Sequence, residues 1–257
     1  MDAYLRRIGA DRPDRAGLDA LRDLQLRHLR TVPFENLSVH LGEEIVLAED
    51  ALVAKIVDRR RGGFCYELNG AFAALLRSVG FPVRLLQARV HGDGGELGVP
   101  YDHLALLVET GDGGRMLADV GFGDHAHFPL AFDERGEQSD PAGVFRFAET
   151  EHGDLDLYRD GRPRLRLETR PQVLDDFRAG AWWHSTSPLS PFTRSPVCSR
   201  LTGDGRITLS GATLVTTVRG LRGEEPLEDD AAVLAAYRDH FGLSLDRLPP
   251  DPRRAGG

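Results

Sequence analysis

The chain has 257 residues, 41% hydrophobic and 28% charged, with a net charge of −8. That balance fits a soluble globular protein of one large or two to three smaller domains, and the scattered arginines form no basic stripe for nucleic acid. Two cysteines make no disulfide framework, and no leader-like or membrane-length apolar run is present, so a reducing cytoplasm without membrane attachment is the expected setting. The near absence of lysine (Lys55 alone) reads as a consequence of genome composition.

The first third predicts helices. Asp2 can cap a short helix ending at Gly9, and a second spans about 17–29, with Leu18, Leu21, Gln25 and His28 or Leu29 setting its spacing. The segment TVPFENLSVHLGE predicts an ordered loop. Asp50 begins a third helix with Leu52, Val53 and Ile56 inward. RGGFCYELNG follows, and a helix starting at Cys65 places Leu68, Ala71, Phe72, Leu75, Leu76 and Val79 on one stripe. Gly80 and Pro82 stop it.

From about Phe81 the pattern turns to strands: VRLLQARV, then HLALLVE and RMLADVGF around TGDGG, then VFRFAE, DLDLY and RLRLE. VCSRLT and RITLSG form a further hairpin. A capped helix near the C-terminus points Leu234, Tyr237 and Phe241 inward, before a frayed tail. Helices followed by antiparallel strands define an α+β protein.

Cys65 carries the first chemical signal. A helix N-terminus favours the anionic, reactive form of a thiol, and Gly62 and Gly63 would leave room for a substrate beside it. Such a nucleophile needs an imidazole and a group to orient it. His28 reads as packed; His40, His91, His152 and His184 lack an acidic strand partner in evidence. His125 and His127 form an HxH pair without a third metal ligand and read as a solvated loop, so no metal is expected. His240 reads as a surface residue.

His103 differs, because its strand turns directly into one carrying Asp119. If Thr110 pairs with Gly114, Asp119 lies opposite Ala105, and His103 is its diagonal neighbour on the same face. Asp102 is the rival acid, but adjacent strand residues point to opposite faces.

These segments resemble the arylamine N-acetyltransferases: RIG near the start, VPFENL at 32–37, RGGFCYELNG at 61–70, the strand from His103, DVGFG at 119–123 and SPLSPFTRSPVCSR. The resemblance implies a papain-like cysteine core divided into a helical domain (1–83), a β-barrel domain (84–190) and an α/β lid (191–257). It implies Cys65 as nucleophile, His103 as base and Asp119 as orienter. Phe34, Val90, Phe122, Gly123 and Phe192 would bind substrate. Glu35 and Arg61 would pair as structural support, and Cys198 would be structural too.

Acetyl-CoA is then expected as a co-substrate rather than a held cofactor, with an arylamine or arylhydrazine as acceptor in a ping-pong scheme, and the protein as monomer or homodimer. A macrolactam-forming amide synthase would keep the same signatures. A transglutaminase-like or papain-like hydrolase shares the Cys, His, Asp order but not PFENL and DVGFG. An inactive acyl-CoA-binding scaffold would have little need for a complete triad.

Overall fold

A computed structural model describes residues 1–254. The fold is α+β, with a helical N-terminal part, a nearly closed barrel and a second sheet carrying a C-terminal helix. Helices α1 (Asp2–Ile8) and α2 (Leu18–Thr31) come first, with Tyr4, Leu5, Leu21 and Leu24 in the core. His28 is fully buried beside them, 3.0 Å from the Tyr4 hydroxyl.

The segment expected as a loop contains strand β1 (Phe34–Glu35) and helix α3 (Leu37–Leu41) instead. Both elements are too short to declare themselves by periodicity. A tertiary contact forms the strand, since β1 pairs with the distant Val197–Leu201 strand, and a local side-chain bond opens the helix, where Glu35 Oε2 accepts from the Leu37 amide at 2.7 Å.

Helix α4 (Glu49–Val57) buries Leu52 and Ile56 and packs the half-buried Val53 against the core as expected, and Lys55 is buried with them. Helix α5 (Cys65–Ser78) starts where the sequence places it. It is not amphipathic, because every residue from Cys65 to Leu76 is buried between α4 and the barrel.

The barrel sheet comprises β2 (Val83–Val90), β3 (His103–Glu109), β4 (Arg115–Ala118), β5 (Leu130–Ala131), β6 (Gln138–Asp140), β7 (Gly143–Glu149), β8 (Leu155–Arg159) and β9 (Arg162–Gln172). Its order is β5-β4-β3-β2-β9-β8-β7-β6. The two end strands meet through a side chain: Gln138 Nε2 donates to the Ala131 carbonyl at 3.0 Å, and its Oε1 accepts from the Ala131 amide at 2.7 Å.

Strand alternation gives β3 two buried faces. Leu104, Leu106 and Val108 join the helical core against α5, whereas Ala105 and Leu107 join the barrel interior with Leu117, Phe145, Phe147 and Leu165. The expected strand over DVGF ends early, at Ala118.

Helix α6 (Arg178–Thr186), to which the sequence patterns assign no element, follows β9 through a short 3₁₀ turn. The second sheet runs β1, β10 (Val197–Leu201), β11 (Gly205–Ser210), β12 (Thr213–Val218) and β13 (Leu221–Pro226). N-terminal and C-terminal segments therefore share one sheet.

Helix α7 (Asp230–Phe241) covers this sheet; Asp229 caps it by accepting from the Ala232 amide at 2.8 Å. Val233, Ala236, Tyr237 and Phe241 are its buried positions, so Tyr237 and Phe241 point inward as expected and Val233 stands where Leu234 was expected. Of the tail expected to fray, 252–254 form a 3₁₀ turn, and the last three residues lie outside the described ones. No helix is long and apolar enough to cross a membrane, among the described residues.

Candidate active site

Cys65 occupies the first position of α5 and is 3% exposed. The glycines before it serve protein packing rather than substrate clearance, which corrects the sequence expectation. A Cβ on Gly62 would lie 1.9 Å from the Pro33 carbonyl oxygen, and one on Gly63 would lie 2.6 Å from the Glu67 carboxylate. The glycine that brings backbone close to Cys65 is Gly121, where a Cβ would stand 2.7 Å from Cys65 Cα.

His103 and Asp119 come together as strand register requires. Leu106 faces Ala118 and Glu109 faces Arg115, and the turn closes with the Thr110 amide donating to the Gly114 carbonyl at 2.9 Å. Ala105 is then level with Asp119, and His103 Nε2 donates to Asp119 Oδ2 at 2.6 Å on the barrel-side face. Cys65 and the same imidazole line one cleft, and with Nε2 turned to Asp119, Nδ1 is the ring nitrogen left for other partners.

Burial disfavours a charged imidazole, but the Asp119 carboxylate and the contact with Cys65 more than offset it and hold the His103 pKa well above the usual value. Asp119 is also buried. His103, with help from the Asn69 amide, holds its carboxyl below the ordinary carboxylate range. Both directions favour an imidazolium beside a carboxylate at neutral pH.

Sequence patterns did not single out Asn69. It lies one turn after Cys65, so it shares the nucleophile's face of α5. Its Nδ2 donates to Asp119 Oδ1 at 2.8 Å and to the Leu104 carbonyl at 2.6 Å, and its Oδ1 accepts from the Val120 amide at 2.9 Å.

Asp102 is occupied elsewhere: Oδ2 accepts from the Val90 amide at 3.0 Å and Oδ1 from His184 Nε2 at 2.9 Å. Its carbonyl oxygen is 4.0 Å from Cys65 Sγ. His184 thus has an acidic partner, as does His91, whose Nε2 lies 3.4 Å from Asp156 Oδ1 on β8. His125 is not solvated either. It is 6% exposed between the rings of Phe122 and Phe145, and burial pushes its pKa down to about 4.

A cleft of about 960 Å³ opens over the sulfur, lined by Phe34, Val90, Phe122, Trp183 and Phe192 beside Cys65 and His103. Four of the five residues expected to bind substrate share this wall. Gly123 is the exception: it sits behind Phe34 at φ +85°, with its Cβ position 3.6 Å from that ring. Asn36 sets the wall's far side, its Nδ2 donating to the carbonyls of Phe192 and Ser195 at 2.9 Å each. The rings of Phe34 and Phe192 lie 5.9 Å apart.

Beneath the cleft, Arg61 grips Glu35 through two bonds, of 2.9 and 3.2 Å, and reaches Glu43 at 3.1 Å. Cys198 is fully buried, and burial pushes its pKa well above the ordinary thiol range. It faces Glu35 across the β1–β10 pair. Among the described residues, no group of three His, Cys, Asp or Glu side chains is placed to hold a metal ion.

A helix-borne thiol, an imidazole and a carboxylate from one hairpin thus share an apolar cleft on a papain-like core, and likeness to known proteins makes the chain an acyltransferase. A family model described as N-acetyltransferase matches residues 17–248. An arylamine N-acetyltransferase of Mycolicibacterium smegmatis is 33% identical, over 96% of this chain and 93% of its own. The M. smegmatis structure superposes with a TM-score of 0.88 at 34% identity, covering 98% of this chain and 95% of that one. The Mycobacterium marinum enzyme in complex with CoA gives a TM-score of 0.86 at 32% identity, over 94% and 92%. The chain belongs to the arylamine N-acetyltransferase family.

Proposed function

We propose that this enzyme transfers an acetyl group from acetyl-CoA to the nitrogen of an arylamine or arylhydrazine through an acetyl-Cys65 intermediate. The observation that carries this reading is the 2.6 Å bond from His103 to Asp119, with Cys65 and His103 lining one aromatic cleft. Cys65 attacks the thioester carbonyl, its backbone amide serving as an oxyanion donor. His103 gives its proton to the departing CoA sulfur and becomes neutral. The amine then attacks the acetyl-thioester, His103 takes the amine proton, and the thiolate–imidazolium pair returns.

The relative bound to CoA supports that donor, and CoA acts as a co-substrate. The flat walls of Phe34, Phe122 and Phe192, with Val90, suit an aryl ring held by apolar burial. An unprotonated aromatic amine enters such a cleft without the desolvation cost of an ammonium. A reducing cytoplasm suits the two free cysteines. Initial rates test the scheme: parallel reciprocal plots across acetyl-CoA concentrations support it, whereas lines intersecting left of the axis contradict it.

A further inference from the structure

The single lysine among 32 basic residues lies at the base of the nucleophile helix, almost wholly buried. Lys55 Nζ is 2.6 Å from Glu67 Oε1 and 2.9 Å from Ser38 Oγ. Glu67 sits in the first turn of α5, two residues after Cys65, and its Oε2 accepts from the Phe64 amide at 3.3 Å. The glycine at 63 makes room for this carboxylate.

Four charges are buried here in two balanced pairs, Lys55 with Glu67 and Arg61 with Glu35. Glu43 adds a partly exposed carboxylate on Arg61, and Glu44 and Arg59 line the small cavity beside Lys55. Burial pushes the Glu67 carboxyl up and the Lys55 ammonium draws it back; without the ammonium, charge left on that carboxylate would stand uncompensated in the turn where the helix's positive end faces Cys65.

We infer that Lys55 is a positioning residue for the acyl-transfer site: it fixes Glu67 on the Phe64 amide and cancels its charge, so that the helix end acts on Cys65 alone. This rests on Cys65 being the reacting thiol. The test is therefore iodoacetamide labelling without acetyl-CoA, mapped by peptide mass, with wild type scored separately for acetylation. If wild-type Cys65 labels but does not acetylate, the proposed function fails and the Lys55 comparison still stands.

In folded Lys55→Met the labelling rate at pH 7 should fall about tenfold, and its pH profile should move to alkaline values. Adding Glu67→Gln to that variant should return the profile to that of wild type. Glu67→Gln alone leaves an unmatched cation and should displace the profile toward acid relative to the double variant. That comparison keeps the proposal testable should Lys55→Met fail to fold. An unshifted profile in folded Lys55→Met, or coincident profiles for Glu67→Gln and the double variant, would overturn it.

Discussion

Asn69 donates to Asp119 at 2.8 Å from a position one turn after Cys65, so the helix that carries Cys65 also holds the carboxylate of the barrel hairpin. A change at Asn69 should therefore act on catalysis without touching a reacting atom. Asn69→Ala leaves the Val120 amide and the Leu104 carbonyl without their side-chain partner. It should lower stability by about 1–3 kcal/mol and kcat by roughly 10–100-fold. Stopped-flow acetylation beside a denaturant titration reads both, and an unchanged acetylation rate would remove Asn69 from the account.

The His103–Asp119 pair makes a pH signature. Interaction raises the folded imidazole pKa from 6.5 to about 10, so its contribution is complete below pH 6.5 and lost as pH rises through the folded value. Asp119 is lowered from 3.8 to about 2, so its contribution is complete above pH 3.8 and lost as pH falls through that range. The two titrate as a unit. The stability difference between wild type and Asp119→Asn should therefore be largest between these limits and shrink on both sides. A difference independent of pH would contradict the ion pair.

Gly121→Ala tests the close approach of DVGFG to α5. The added methyl would stand 2.7 Å from Cys65 Cα, against backbone that cannot swing aside. Displacing that segment misplaces Asp119 and Phe122 together, and a loss of about 100-fold in kcat/KM is expected. Activity within threefold of wild type would show that the contact relaxes without consequence.

Breaking the Arg61–Glu35 pair should cost stability before chemistry. Arg61→Met strands a fully buried carboxylate, for which about 3–5 kcal/mol is typical. Thermal denaturation should show the loss, while the acetylation rate per folded molecule stays within a few-fold of wild type. A large rate loss at unchanged Tm would make the pair part of the reacting site.

The elements legible in the sequence were those set by local rules. The three-residue turn between Thr110 and Gly114 fixed the register, and the register alone put His103 beside Asp119. The nucleophile helix was legible at its start, but not in its burial on all sides, because the barrel face covering it is built from residues far along the chain. Strand β1 and helix α3 escaped because their bonds come from Glu35 and from β10.

Helix α6 escaped because Gly180 interrupts its pattern; that glycine admits the Tyr101 carbonyl, which a Cβ would meet at 2.5 Å. The His184–Asp102 contact spans 82 residues and no spacing rule reaches it. Lys55 looked like a trace of composition, and only its contact with Glu67 gave it a role.

The most direct measurement of the central claim is the intact mass of the enzyme after incubation with acetyl-CoA and no amine. One acetyl group should appear on Cys65, labile to hydroxylamine, with one CoA released per chain, and be absent from Cys65→Ala. The sole side-chain amine of the chain is buried in an ion pair, so few other nucleophiles compete. No adduct and no CoA release, or an equal adduct on Cys65→Ala, would contradict transfer through the cysteine.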